Sequence, residues 1–288
     1  MPDKNPQPTY KRQRFLLSFI RQLKDGVTAT DIQKLVFIYT MHNKSEFYNF
    51  VPYRYGPYSF QLAEDIDILC RDNYLSKEGS YIQALGRYKL ETLFPVMSER
   101  GNSLIKKAYI EYPYYAINSE ILENLFNENE TVNFINKRKE YSRQEQMLFT
   151  IGYEGKNIES FMNTLIQNDV HLICDVRKNP LSRKFGFSKT KLQHIADRVK
   201  IKYMHIPALG IDSDKRAFLN SENDYRCLFA DYAKHLPALK MQLEDVYSLL
   251  ISNKRIALMC YELKPEMCHR HVIRDYIVNT YKTGSTDL

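Results

Sequence analysis

Long apolar runs are missing from this 288-residue chain. No stretch reaches the roughly 18 apolar residues that a membrane-spanning helix needs. The start lacks the apolar core of a secretory signal: its first ten residues contain three prolines and no apolar run. These absences lead us to expect a cytoplasmic protein with no membrane partner. A disulfide framework is missing as well. The five cysteines, Cys70, Cys174, Cys227, Cys260 and Cys268, are an odd number scattered along a long chain, so reduced thiols are expected. There is no compositional bias toward disorder either, with 44% hydrophobic and 26% charged residues. Only the first ten residues and the tail after Tyr281 read as unable to bury surface.

What is present suggests two domains, because single cores usually stop growing at about 100 to 150 residues. The net charge of +7 is uneven: residues 1–150 carry 20 basic and 18 acidic side chains, the remainder 21 and 16. The excess in the second half favours anionic partners such as nucleic acid or phosphorylated metabolites, although a simple solubilising charge reads equally well.

In the first half, residues 10–24 and 30–42 place apolar side chains at helical spacing, with Thr30 available as a cap. Pro52, Gly56 and Pro57 then interrupt any regular element, and a third helical pattern runs from Tyr58 to Arg71. Two short strand patterns, around Tyr74-Leu75 and Tyr81-Ile82, flank a turn containing Gly79. Further helices are expected over Thr92 to Ile110 and Ser119 to Phe126. Three helices and a hairpin form the order of a winged helix, giving a mostly helical, winged-helix-like domain over residues 10–127. Such domains often bind DNA through the helix before the hairpin. Here that helix region carries Glu64, Asp65, Asp67 and Asp72 against Arg71, which argues for a protein partner instead. The string Tyr53-Arg54-Tyr55-Gly56-Pro57-Tyr58-Ser59 within this half resembles the signature of the Panacea-type antitoxin and phage-associated families, and that resemblance implies an interaction module. Read from the residues alone, it is a tight turn walled by tyrosines. Residues 128–146, polar and containing Lys137-Arg138-Lys139, read as a charged helical or extended joint.

From residue 147 to 282 the pattern changes to an α/β domain. Apolar, β-rich segments at 147–152, 171–176, 201–206 and 255–261 alternate with helical patterns, which predicts a Rossmann-like parallel sheet. Ligands of such sheets bind beyond the carboxyl ends of the strands. Those ends carry Tyr153 and Glu154, then Asp175 and Arg177, then His205, and finally Cys260 and Glu262, with Cys268, His269 and Arg270 opening the last helix.

The strings TIGYEG, CDVRKNPLSRKFGFSK, YMHIPALG and CYELKPEMCHRHVI resemble the domain-of-unknown-function 488 family across about Phe149 to Ile277. That resemblance implies a compact α/β fold and suggests a link to nucleic-acid maintenance. A weaker likeness to rhodanese-like domains rests on Asp175-Val176-Arg177 at a strand end, without their catalytic loop.

The residues themselves supply ingredients for nucleotide chemistry. Arg177, Ser182, Arg183, Lys184 and Lys189, with Phe185 and Phe187 interleaved, can hold phosphates and stack on bases. Arg177 can equally pair with Asp175 or Glu262 and seal the sheet end. Tyr153, His205 and Arg270 complete the expected substrate-binding set. Glu262, Asp175 and Glu154 are candidate catalytic carboxylates, Glu262 first, because carboxylates at neighbouring strand ends can divide acid and base roles in glycosidic cleavage. Tyr153 and Tyr261 would raise the Glu262 pKa and Arg177 would lower it. Cys268 and His269 sit near a helix start where the dipole and Arg270 would lower a thiol pKa, so thiol chemistry is a further candidate. Cys260, Cys268 and His269, with Cys174 or His205, could supply metal ligands, but the spacing is not that of a zinc knuckle. No cofactor is expected, with a divalent metal left open. The expected function is a nucleic-acid- or nucleotide-processing hydrolase or lyase in DNA repair or phage defence; the alternative is a non-catalytic nucleotide-sensing or antitoxin-like regulator.

Overall fold

Thr28, rather than Thr30, starts the second helix: its Oγ1 accepts from the Asp31 backbone N–H at 3.1 Å and donates to the Asp31 carboxylate at 2.7 Å. The computed structural model describes residues 7–23, 26–86, 94–216, 219 and 221–288. The chain divides into two compact units, Met1–Glu140 and Tyr141–Leu288. Among the described residues, no helix is long and apolar enough to cross a membrane.

The first unit runs α1 (Lys11–Arg21), β1 (Val27–Thr28), α2 (Ala29–Asn43), β2 (Val51–Tyr53), β3 (Gly56–Tyr58), α3 (Phe60–Arg71), β4 (Leu75–Glu78), β5 (Tyr81–Ala84), α4 (Gly101–Glu111), α5 (Leu122–Leu125) and α6 (Glu128–Lys139). Strands β1, β5 and β4 form an antiparallel sheet, which supplies the hairpin expected after the third helix and adds a short strand before the second. Of the helix expected from Thr92, residues 92 and 93 lie outside the described residues, 94–100 are not helical, and α4 begins at Gly101.

The tyrosine-rich string is a hairpin pinned to α2. Gln33 exchanges two hydrogen bonds with the backbone of Ser59, and Lys34 Nζ donates to the Pro57 carbonyl at 2.9 Å. Gly56 has φ +89°, and a Cβ there would meet Tyr109 Cε1 at 2.2 Å, so only glycine fits this turn. Asp65 does not belong to an acidic outer surface: it is fully buried, paired with Arg12 at 2.7 Å and bonded by Gln13 and Tyr48. The acidic face of α3 is therefore smaller than its sequence implies. Helix α6 starts with a reciprocal capping box of Asn127 and Glu130 and buries Phe134 beside Phe126 and Tyr109. Most of the segment expected as a joint is thus packed into the first unit.

The second unit runs β6 (Met147–Gly152), α7 (Ile158–Gln167), β7 (Leu172–Asp175), α8 (Lys189–Arg198), β8 (Lys202–His205), α9 (Glu222–His235), α10 (Lys240–Asn253), β9 (Arg255–Cys260), α11 (Arg270–Tyr281) and β10 (Ser285–Asp287). All five strands are parallel, in the order β10-β6-β9-β7-β8. The tail after Tyr281, expected to be loose, forms the edge strand β10. Leu148 donates to the Gly284 carbonyl at 3.0 Å, Leu288 to that of Thr150 at 2.9 Å, and the Thr150 hydroxyl to Asp287 at 2.6 Å. Backbone pairing of this kind needs no apolar side chains, which is why hydrophobicity did not reveal it.

Side chains alternate across the sheet. On one face Leu148, Leu172, Cys174, Ile256, Leu258 and Cys260 pack with Leu236, Leu243, Val246, Leu250, Ile273 and Ile277 from the segments after β8 and β9. The crossovers through α7 and α8 run in the opposite direction along the sheet, so right-handed connection places those helices on the other face, with Phe149, Ile151, Ile173 and Met259. The carboxyl rim is consequently built from two layers.

Candidate functional site at the strand ends

The rim residues expected as one site divide between the two faces of the sheet. On the α7 and α8 side, Asp175 and Arg177 are 0% and 6% exposed and form a two-point ion pair, Nε to Oδ1 at 2.8 Å and Nη2 to Oδ2 at 2.6 Å. Arg177 Nη1 donates to the Phe187 carbonyl at 2.9 Å and to the Tyr153 hydroxyl at 3.1 Å. The Tyr203 hydroxyl donates to Asp175 Oδ2 at 2.7 Å, and His205 Nε2 lies 2.9 Å from the Arg177 carbonyl. Burial opposes the Arg177 charge, but Asp175 more than offsets it and the guanidinium pKa rises. Tyr203 is likewise pushed up, by burial and then by Asp175. Tyr153 stacks on Phe187 with centroids 4.3 Å apart and meets Tyr261 edge-on at 5.2 Å. In this network Asp175 and Arg177 satisfy each other and seal the sheet end.

On the opposite face, Cys260 ends β9 while Cys268 and His269 immediately precede α11. All three are buried, at 1%, 1% and 0% exposure. His269 Nδ1 lies 4.0 Å from Cys260 Sγ and 3.9 Å from Cys268 Sγ, and its Nε2 lies 2.9 Å from the Val176 carbonyl. The thiol pKa shifts fall the opposite way from the expectation for Cys268. Burial and the adjacent Cys260 push Cys268 up, overriding the helix start and Arg270, whereas the Cys268 hydrogen bond, His269 and Arg216 push Cys260 down against its burial.

Glu262 belongs to this second cluster. Its Oε1 pairs with Arg216 at 2.9 Å, and its buried Oε2 has no hydrogen-bond partner. Burial raises its pKa and Cys260 adds to that, while Arg216 and then the neighbouring Cys268 thiol oppose it; the opposing cation is Arg216 and not Arg177. Arg216 is also within 4.0 Å of Cys260 Sγ. No periodicity or motif marks Arg216 in the sequence, since it lies in a connection without a strand or long helix. The Tyr232 ring meets His269 edge-on at 5.7 Å, another neighbour that the sequence did not identify.

The loop that carries Glu262 is held from below. Arg270, fully buried, donates to the Glu262 carbonyl, to that of Leu263 at 2.9 Å and to Thr150 Oγ1 at 3.1 Å, so its guanidinium is a clamp within the rim. Glu154 Oε2 accepts from the Leu263 N–H at 2.9 Å and ties the same loop to the end of β6. Arg183 and Lys189 are exposed, and Ser182 Oγ accepts from the Lys184 N–H at 3.2 Å. Lys184 reaches back to the Tyr153 carbonyl at 3.1 Å. Its pKa is lowered by burial and then by Lys156, against Glu154; that of Lys156 is lowered by burial and then by Arg270. These two lysines and Arg270 thus crowd positive charge at one place on the rim.

Of the possible metal ligands, the structure brings together Cys260, Cys268 and His269, whose donor atoms all lie within 4.8 Å of one another. Cys174 is in the sheet core, its thiol pushed up to about 12 by burial, and His205 is in the Asp175 network. A groove of about 790 Å³ opens between α9 and α11, with Tyr225, Arg226, Phe229, Lys264, Met267 and His271 in its wall.

No curated protein and no solved structure matches the chain. A family model does match, beginning just after the Tyr153-Glu154-Gly155 turn and ending within α11. Residues 157–277, within the second unit, match the model of the family described as Domain of unknown function DUF488, and this stretch of the chain is similar to that family.

Proposed function

We propose that the second unit is an enzyme acting on a nucleotide or nucleic acid, hydrolysing or lysing a bond next to phosphate, in DNA repair or phage defence, with Glu262 as its catalytic carboxylate. The observation that carries this reading is the contrast among the three rim carboxylates. Asp175 is saturated by Arg177 and Tyr203, and Glu154 holds the Leu263 backbone, whereas Glu262 keeps a buried oxygen without a hydrogen-bond partner. Buried acceptors are rarely left unsatisfied without a role. A carboxylate so placed can take or give a proton at a scissile bond.

Lys156 and Lys184 are the natural phosphate anchors, because an anion would offset the burial, and after it the neighbouring positive charge, that lowers both pKa values. Arg183 and Lys189 extend the positive surface, and Tyr261, 46% exposed, offers a ring for a base. The first unit, with its pinned tyrosine hairpin and the acidic residues Asp67 and Asp72 exposed on or beside α3, suits a protein partner.

The test is binding and cleavage of labelled single- and double-stranded DNA and RNA by the full chain and its Glu262→Gln variant, with divalent metal supplied or chelated. Turnover lost in the variant with binding retained supports the proposal. Binding without turnover by the unaltered chain would favour a nucleotide-sensing regulator, and absence of both would remove nucleic acid as the ligand.

A further inference from the structure

We infer that Cys260, Cys268 and His269 bind one zinc-class divalent cation through their two sulfurs and the imidazole Nδ1. This inference rests on the donor geometry and would stand even if the rim turned over no nucleic acid.

A tetrahedral zinc ion with bonds of about 2.3 Å to sulfur and about 2.0 Å to nitrogen separates its ligand atoms by about 3.5 to 3.8 Å. Here the two sulfur-to-Nδ1 separations are 4.0 and 3.9 Å, and all three donors lie within 4.8 Å. Closing on an ion therefore needs only small side-chain movements. The seven-residue gap between the cysteines, unlike a knuckle, is spanned by a rim loop and the short helical turn Pro265–Met267, and Arg270 clamps that loop to the sheet.

The imidazole is oriented for the same purpose. Its Nε2 is 2.9 Å from the Val176 carbonyl, which can only accept, so Nε2 carries the hydrogen. In the neutral ring Nδ1 then presents a lone pair toward the two sulfurs. Metal-bound histidines are commonly fixed in this way, with the second ring nitrogen donating to a backbone carbonyl. As a purely structural contact, thiol donation to Nδ1 at 3.9 to 4.0 Å is long, and one lone pair faces two sulfurs.

Donor chemistry selects the ion. Two thiolates and an imidazole suit zinc over magnesium or calcium, which prefer oxygen. Two thiolates also neutralise a doubly charged cation, so the complex does not conflict with the start of α11 or with Arg216 beside Cys260. Three protein ligands leave a fourth position for water, and the unpartnered Oε2 of Glu262, two residues beyond Cys260, is a suitable acceptor for it.

The test is elemental analysis of the full chain purified under reducing conditions, followed by cobalt titration of the metal-stripped protein. One zinc per chain is expected, together with intense visible bands of tetrahedral cobalt and a near-ultraviolet thiolate-to-cobalt band. Cys260→Ala and Cys268→Ala should each weaken cobalt binding by more than about 10-fold, whereas Cys227→Ala, at an exposed position, should leave the spectrum unchanged. Absence of stoichiometric zinc and of the thiolate band in the reduced, unaltered chain would overturn the inference, independently of how the alanine variants fold. So would a spectrum that depends on Cys227.

Discussion

Gly152 lies against the Glu262 carbonyl so closely that a Cβ at position 152 would come within 1.8 Å of that oxygen. The end of β6 therefore sets the position of the loop beyond β9. Backbone atoms cannot yield as a side chain would, so Gly152→Ala must displace this loop and strain the Arg270 clamp. Overpacking usually costs about 1–3 kcal/mol, and here the upper end is expected. Thermal unfolding should show the loss, and a stability equal to the unaltered chain would mean that the loop moves freely.

The Asp175–Arg177 pair predicts strong non-additivity. Asp175→Ala leaves a buried guanidinium without its counter-charge, which typically costs about 3–5 kcal/mol, and Arg177→Leu strands the carboxylate in the same way. Removing both at once abolishes the uncompensated charge, so the double variant should be more stable than the two single effects predict. Denaturant titration of all four proteins measures the coupling. A double variant whose loss equals the sum of the single losses would show that the two residues do not act as a pair.

Lys34 should make the first unit more stable at alkaline pH. Burial lowers its pKa from 10.5 to about 7, only partly opposed by Asp31. Between those values the unfolded chain binds more protons than the folded one, so stability rises with pH across that window and is lowest below about 7. The whole difference corresponds to about 5 kcal/mol at most. Comparing Lys34→Met with the unaltered chain from pH 6 to pH 10 isolates this contribution from other titrating groups. Parallel stability curves for the two proteins would contradict it.

Much of this architecture is legible from side-chain pattern. The four strands expected at 147–152, 171–176, 201–206 and 255–261 lie within one residue of β6, β7, β8 and β9; β6, β7 and β9 are buried on both faces and read as continuous apolar runs, whereas the edge strand β8 is partly exposed. Strand β10 escaped because Ser285, Thr286 and Asp287 are polar and exposed, and backbone pairing with polar contacts of Asp287 to Thr150 and Arg274, rather than apolar burial, places them. The rim was legible as a place but not as two clusters. Alternation puts Cys260 and Tyr261 on opposite faces, yet only the sheet order shows that β9 lies between β6 and β7. Arg177 folds back onto Asp175, two residues earlier at the end of β7, and Glu262 is left to Arg216, 46 residues away in a segment without periodic pattern.

If the rim holds phosphates, Lys156 and Lys184 should be visible in the salt dependence of binding. Each phosphate contact releases condensed counterions, so the logarithm of affinity falls with the logarithm of salt concentration in proportion to the number of contacts. Removing one phosphate contact reduces that slope by about 1 with little effect on sequence preference. Lys156→Ala and Lys184→Ala should each do so in the full chain. Substituting Lys240, exposed on α10 and paired with Glu244, should not. Fluorescence anisotropy with labelled single-stranded DNA at several salt concentrations gives the slopes. Equal slopes for all four proteins would separate DNA binding from Lys156 and Lys184 at this rim.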